Sequence, residues 1–297
     1  MMSKIEVSLM ARESILDEHV KRCGHNLCHY TSIITLTSIL EKREFWLGST
    51  ANMNDKSEIR HFIGELRESL YKFNENEHYI RIFGQLDKLI KNEKSFPYAI
   101  AFSKLIDNAA QWERYANNAM GCCLVINTRK FLSTLQSNFR GTFFGNVFYD
   151  YNILKHPLYG ILMYYFEAGK FDGSPKLGQF TNENDLIHNI YSCAVMRKHN
   201  SFESENEIRL VTNPFVDTNP KYSRLELENT GDRVRRFLKV EMRKLCADDN
   251  IEFEDLFDKI IIGPRSEQSV YELKEYVLSL GYNNLHNVIC MSECPLR

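Results

Sequence analysis

Phe202-Glu203-Ser204-Glu205-Asn206-Glu207-Ile208-Arg209-Leu210-Val211 reads as an extended strand late in the chain. Strand side chains alternate between faces, so Glu205, Glu207 and Arg209 share one side while Asn206, Ile208 and Leu210 share the other. The second side is apolar enough to lie on a core. The first sets two carboxylates and a guanidinium side by side, which costs free energy unless the surface is wet or the charges are paired. A solvated strand face with an arginine–glutamate pair meets this pattern. So does a carboxylate held ready to stabilise positive charge on a sugar, because glycosidic cleavage passes through an oxocarbenium-like state.

Outward from this segment, strand and helix signals alternate without an internal repeat or a long linker. Residues 1–20 have helical spacing. Leu27–Ser32 (extended), Thr35–Lys42 (helical) and Glu44–Ser49 (extended) form a strand, helix, strand opening. A long polar helix is expected from about Ile59 to Lys91, followed by strands at Tyr98–Ser103 and Cys122–Ile126 with a short helix over Ala109–Asn117 between them. Further on come a helix over Arg129–Gln136 and an aromatic strand over Thr142–Tyr149. Residues 158–199 are mainly helical, Phe237–Leu245 is a basic strand or helix, and 259–297 is a strand, helix, strand close. This order predicts one mixed α+β domain over 1–297, with its core at about 27–264 and a helical insertion at about 158–199.

The 297 residues are ample for a buried core without disulfide or metal staples. Lys plus Arg (37) nearly balances Asp plus Glu (39), so no whole-protein field draws the chain to nucleic acid or an anionic membrane. Arg233, Arg235, Arg236, Lys239, Arg243 and Lys244 form a local basic cluster that reads as a solvated face or as a phosphate contact. The N-terminus lacks signal-peptide character and no run has the length of a membrane span, so a cytoplasmic location with no membrane partner is expected. The eight Cys fit small core residues of a reducing compartment. Cys23, His25, Cys28 and His29 lie close in sequence but match no regular zinc spacing, and no metal is expected. Phosphate loops, H-E-x-x-H helices and G-x-S-x-G elbows are absent.

Two further groups carry possible chemistry. In Leu27–Ser32, His29 and Thr31 share one face and Tyr30 the other; a histidine and a hydroxyl at one strand end suit ribose hydroxyls, or are satisfied structural groups. Trp112, Tyr115 and Ala116 recur at helical spacing, which fits core packing, while the Tyr115 ring could stack on a planar heterocycle.

In their order, His29-Tyr30-Thr31-Ser32, Phe45-Trp46-Leu47, Asn54-Asp55-Lys56-Ser57-Glu58, Ala101-Phe102-Ser103, Trp112-Glu113-Arg114-Tyr115-Ala116, Gly121-Cys122-Cys123-Leu124, Phe148-Tyr149, Glu205-Asn206-Glu207-Ile208-Arg209 and Ile260-Ile261-Ile262-Gly263 resemble the bacterial domain of unknown function 2971. Phe202 stands where that pattern often has Trp. More remotely, a His-bearing first strand, a Tyr-bearing helix and a late acidic strand resemble the ADP-ribosyltransferases of the diphtheria toxin and poly-ADP-ribose polymerase superfamily. That second resemblance implies a split mixed sheet with peripheral helices, NAD as co-substrate and no metal. By it, Glu207 is the catalytic carboxylate, Glu205 the extra glutamate near the acceptor, and His29, Tyr30, Thr31, Ser103 and Tyr115 the NAD-binding set. Asn54, Asp55, Glu58, Trp112 and Arg209 would border the pocket. The implied activity is ADP-ribose transfer to RNA, DNA or protein by a toxin or antiphage effector, with an antitoxin or regulatory protein as a possible partner. An NAD glycohydrolase and a non-catalytic nucleotide- or partner-binding module are the alternatives.

Overall fold

The computed structural model describes residues 16–52, 56–92, 96–138, 142–149, 152–173, 177, 180–212, 221–231 and 233–296; the side chains of 52, 56–58 and 136–138 lie outside the description. Residues 1–15 of the expected first helix therefore lie outside it, as do Asn54 and Asp55 and the side chain of Glu58. A helix over 16–23, α1, leads into β1 (Asn26–Thr31), α2 (Ile33–Lys42) and β2 (Glu44–Ser49). α2 starts where Ser32 Oγ accepts the Thr35 N–H and stops at Arg43, which turns left-handed (φ 53°) and donates its N–H to the Ile39 carbonyl.

The single helix expected over 59–91 is two, α3 (Lys56–Ser69) and α4 (Glu77–Lys91). The break has a local cause: the Asn76 side chain accepts the N–H groups of His78 and Tyr79 and so starts a new helix. β3 (Tyr98–Ser103), α5 (Ala109–Tyr115), β4 (Cys122–Asn127) and α6 (Thr128–Asn138) follow. The expected aromatic strand divides into β5 (Thr142–Asn146) and β6 (Phe148–Tyr149), because Val147 donates its N–H to Glu207 and Phe148 donates to Met196. α7 (Pro157–Ala168) and α8 (Glu183–Val195) precede β7 (Arg197–Lys198) and β8 (Glu207–Thr212). The chain continues through β9 (Ser223–Asn229), β10 (Val234–Glu241), α9 (Met242–Asp248), β11 (Phe257–Ile262), α10 (Val270–Ser279) and β12 (Ile289–Met291).

The fold is α+β, built on a mixed sheet. Its main path runs β12-β11-β4-β1-β3-β2-β10-β9, with only β11 and β12 parallel along it, and β8 lies between β3 and β5. β3 is the junction. One of its edges pairs with β8 along all six residues; the other is shared, meeting β1 at Cys28↔Ser103 and β2 at Gly48↔Ala99 and Ser49↔Tyr98. The sheet forks there.

Core packing settles which way each strand faces. Leu27, Leu124, Phe102, Ile208 and Leu210 belong to one buried cluster on one side of the sheet. On the other side, Ala99 and Val211 join the cluster made by α3, α4, α7 and α8, while Cys28, Tyr30 and Cys123 pack with Trp112 of α5. Each fully buried Leu or Phe contributes about 1.5–3 kcal/mol, so these clusters hold the fork. Backbone also closes tightly here. A Cβ on Gly121 would lie 2.1 Å from the Thr31 carbonyl oxygen, and one on Gly263 2.3 Å from that of Ala119. No described helix is long and apolar enough to cross a membrane.

Candidate functional site

α5 is short, and its sequence explains its placement. Asn108 caps it by accepting the N–H groups of Ala110 and Gln111. Trp112 is fully buried and donates Nε1–H to Asp107 (2.7 Å), while its ring meets Tyr30 edge-on at 4.9 Å. Ala116 is buried beside it, but Tyr115, expected on the same packed face, is 45% exposed. The helix ends at once, with Asn117, Asn118 and Ala119 all at positive φ, and its last turn points Gln111, Arg114 and Tyr115 at the start of β8.

That start differs from the sequence reading. Residues Asn200–Glu205 form a 3₁₀ turn opened by His199, whose Nδ1 accepts the Ser201 N–H, and Asn206 turns left-handed (φ 45°, ψ 50°) before β8 begins at Glu207. Glu205 therefore does not share a strand face with Glu207. The kink brings the two carboxylates together by another route, through Lys198, whose Nζ lies 2.6 Å from Glu205 Oε2 and 3.1 Å from Glu207 Oε2. Asparagine tolerates the left-handed region, so the turn needs no glycine.

Every oxygen of this pair is engaged. Glu205 Oε1 accepts from Tyr115 Oη–H (2.7 Å) and from Arg114 (3.0 Å). Its main-chain carbonyl accepts from Ser103 Oγ–H (2.7 Å) and Gln111 Nε2–H (3.2 Å). Arg209 grips Glu207 bidentately, Nε to Oε1 at 2.6 Å and Nη2 to Oε2 at 3.1 Å, and also donates to the Val195 carbonyl. The Glu207 N–H donates to Tyr149 Oη at 3.0 Å. Glu205, Glu207, Lys198 and Arg209 are buried; Arg114, Tyr115 and Phe202 form a half-exposed rim, and the Phe202 ring lies 4.7 Å from Lys198 Nζ.

The charges in this cluster set its chemistry. Burial works to raise the Glu207 carboxyl, but Arg209 and then Lys198 outweigh it and hold the group below its ordinary value, ionised at neutral pH. Burial likewise works against the Lys198 ammonium, yet Glu207 and Glu205 keep it above the usual lysine range. Tyr115 is raised by burial and by its hydrogen bond to Glu205, so it is a neutral donor. Two carboxylates face three cations, Lys198 and Arg209 buried and Arg114 half-exposed at the rim.

Tyr30, Ser103, Trp112, Tyr115, Glu205, Glu207 and Arg209 all lie on this side of the sheet. His29 and Thr31 do not. They share a face with Leu27, and His29 meets Phe102 edge-on at 5.8 Å, on the side opposite Glu207. His29 sits in the fork, with Nδ1 3.1 Å from the Ala101 carbonyl. A carbonyl only accepts, so Nδ1 carries the proton, and burial depresses the imidazole so that it is neutral. Tyr30 is spent within the fold, donating to the Leu105 carbonyl (2.7 Å) and accepting the Asn108 N–H (3.0 Å). Thr31 is buried beside Gly121.

Lys198, which nothing in the local sequence marks, and Tyr149, which the Phe148-Tyr149 motif includes without a role, join the site; both arrive through long-range pairing, β6 with β7. Two members of the basic cluster at 233–244 are paired with carboxylates. Lys239 meets Glu226 and Glu228 over the Trp46 ring, and Lys244 meets Glu241.

No curated protein and no solved structure matches this chain. Residues 111–210, which run from Gln111 of α5 through Glu205, Glu207 and Arg209, match the family described as "Protein of unknown function (DUF2971)", and the match ends inside β8.

Proposed function

We propose that the chain breaks the nicotinamide–ribose bond of NAD and passes ADP-ribose to a macromolecular acceptor in the bacterial cytoplasm, as a toxin or antiphage effector. The gathering of Tyr115, Glu205 and Glu207 carries this reading: a stacking-capable phenol and two glutamate side chains meet in one partly desolvated place. In the step itself the C1′–N bond breaks, its electron pair leaves with nicotinamide, and the ribose carries positive charge. Glu207, kept ionised, stabilises that charge and accepts from the 2′-hydroxyl; Tyr115 borders the leaving nicotinamide. The acceptor then adds at C1′ and gives its proton to Glu205. Arg114 at the rim meets the pyrophosphate.

NAD labelled on its adenylate part, incubated with total RNA, DNA and cell extract, tests this. Label is expected on one macromolecular fraction with wild-type protein and on none with Glu207→Gln. Nicotinamide release without label transfer would point to a glycohydrolase. One observation favours a second reading, a binding module without turnover: both carboxylates are saturated by ion pairs, and His29 lies across the sheet. Under that reading NAD stays intact.

A further inference from the structure

β9 ends the main path of the sheet, and among the described residues no strand pairs with its outer side. Its ladder with β10 runs through seven registered pairs without a shift, so no bulge turns the edge away. Ser223-Arg224-Leu225-Glu226-Leu227-Glu228-Asn229 also lacks Pro and Lys, the usual blockers of strand edges. Leu225 and Leu227 stand on one face, 51% and 65% exposed, next to Val234 at 64%. The opposite face carries Arg224, Glu226 and Glu228.

This heptad complements itself. Reversed and set antiparallel about Glu226, it places Arg224 opposite Glu228 of the second copy and Leu225 opposite Leu227, twice each, with Ser223 opposite Asn229. Directly opposed residues point to the same face, so all four leucines gather on one side and both arginine–glutamate pairs on the other. Glu226 meets its own copy at the axis. That contact is bearable because Arg224 Nε and Lys239 Nζ already lie 2.6 Å from its carboxylate oxygens.

We infer that β9 is a docking edge for a second copy of this chain, pairing antiparallel with itself about Glu226 to form a two-fold dimer with one continuous sheet. A contact of one strand plus a leucine cluster is small, so the dimer is weak and concentration-dependent.

Sedimentation velocity on the full chain across the micromolar range tests this together with cysteine cross-linking in a Cys290→Ser background. Opposed Cα atoms at either kind of antiparallel pair lie about 4.5–5.5 Å apart, within disulfide reach. Reversible dimerisation is expected for wild type, with loss in Leu227→Lys at an unchanged melting temperature. Glu226→Cys is expected to cross-link to itself. Leu225→Cys and Leu227→Cys are expected to cross-link when mixed and not singly. A wild-type chain that stays monomeric throughout, or self-linking by Leu225→Cys alone, overturns the inference.

Discussion

Lys198 holds together two carboxylates that would otherwise repel, in a place with little water. Taking away one partner of a buried ion pair typically costs about 3–5 kcal/mol, because it strands the opposite charge. Lys198→Met is therefore expected to lower the urea midpoint far more than Arg114→Met, whose side chain is half-exposed. Equal losses would show that the Glu205–Glu207 pair is stable without its central cation. His29 gives a second test. Its folded-state pKa is depressed below the ordinary value of about 6.5, so its contribution is complete above that pH and is lost as the pH falls towards the folded value. Stability measured by urea unfolding at pH 7.5 and 5.5 should drop on acidification, and His29→Gln should drop less. His19, His156 and His188 are depressed by burial too, so part of the decline is expected to remain in the variant.

At the scale of elements, the join between α5, β4 and β11 depends on backbones touching. Gly121→Ala would drive a methyl to within 2.1 Å of the Thr31 carbonyl oxygen, a distance no side chain can relieve by rotating. A loss of about 3 kcal/mol or more is expected by chemical denaturation, against little change for Gly84→Ala, where nothing lies within 4 Å. Most strands were legible because their signal is local. Cys122–Ile126 and Ile260–Ile262 are continuous apolar runs flanked by glycine, and both are buried strands. β9 carries a local signal too, since Arg224–Glu228 alternates strictly between polar and apolar. The kink at Asn206 and the division of 59–91 were not read, because each rests on one asparagine adopting a cap or a left-handed turn. The face assignment of His29 depended on where β1 joins β3. No periodicity contains that information, since strand order is a long-range property.

Seen whole, the molecule gathers four buried charges at the start of β8, between α5 and β7, while its net charge of -2 leaves no strong outer field. Lys239 and Lys244 of the basic run at 233–244 are matched by glutamates of β9 and β10, and under the proposed activity the rim at Arg114, Tyr115 and Phe202 is where a ligand would be met. Substituting Arg114 by Glu should weaken capture of a phosphate-bearing ligand with little change in melting temperature, read by equilibrium binding of NAD; unchanged affinity would remove the rim from the site. The decisive quantity is nicotinamide released from NAD by the purified chain, compared with a Glu207→Gln variant shown by circular dichroism to be folded. Release that requires Glu207 is the expected result. Intact NAD after prolonged incubation with the wild-type protein and candidate acceptors, or equal release by both proteins, would contradict it.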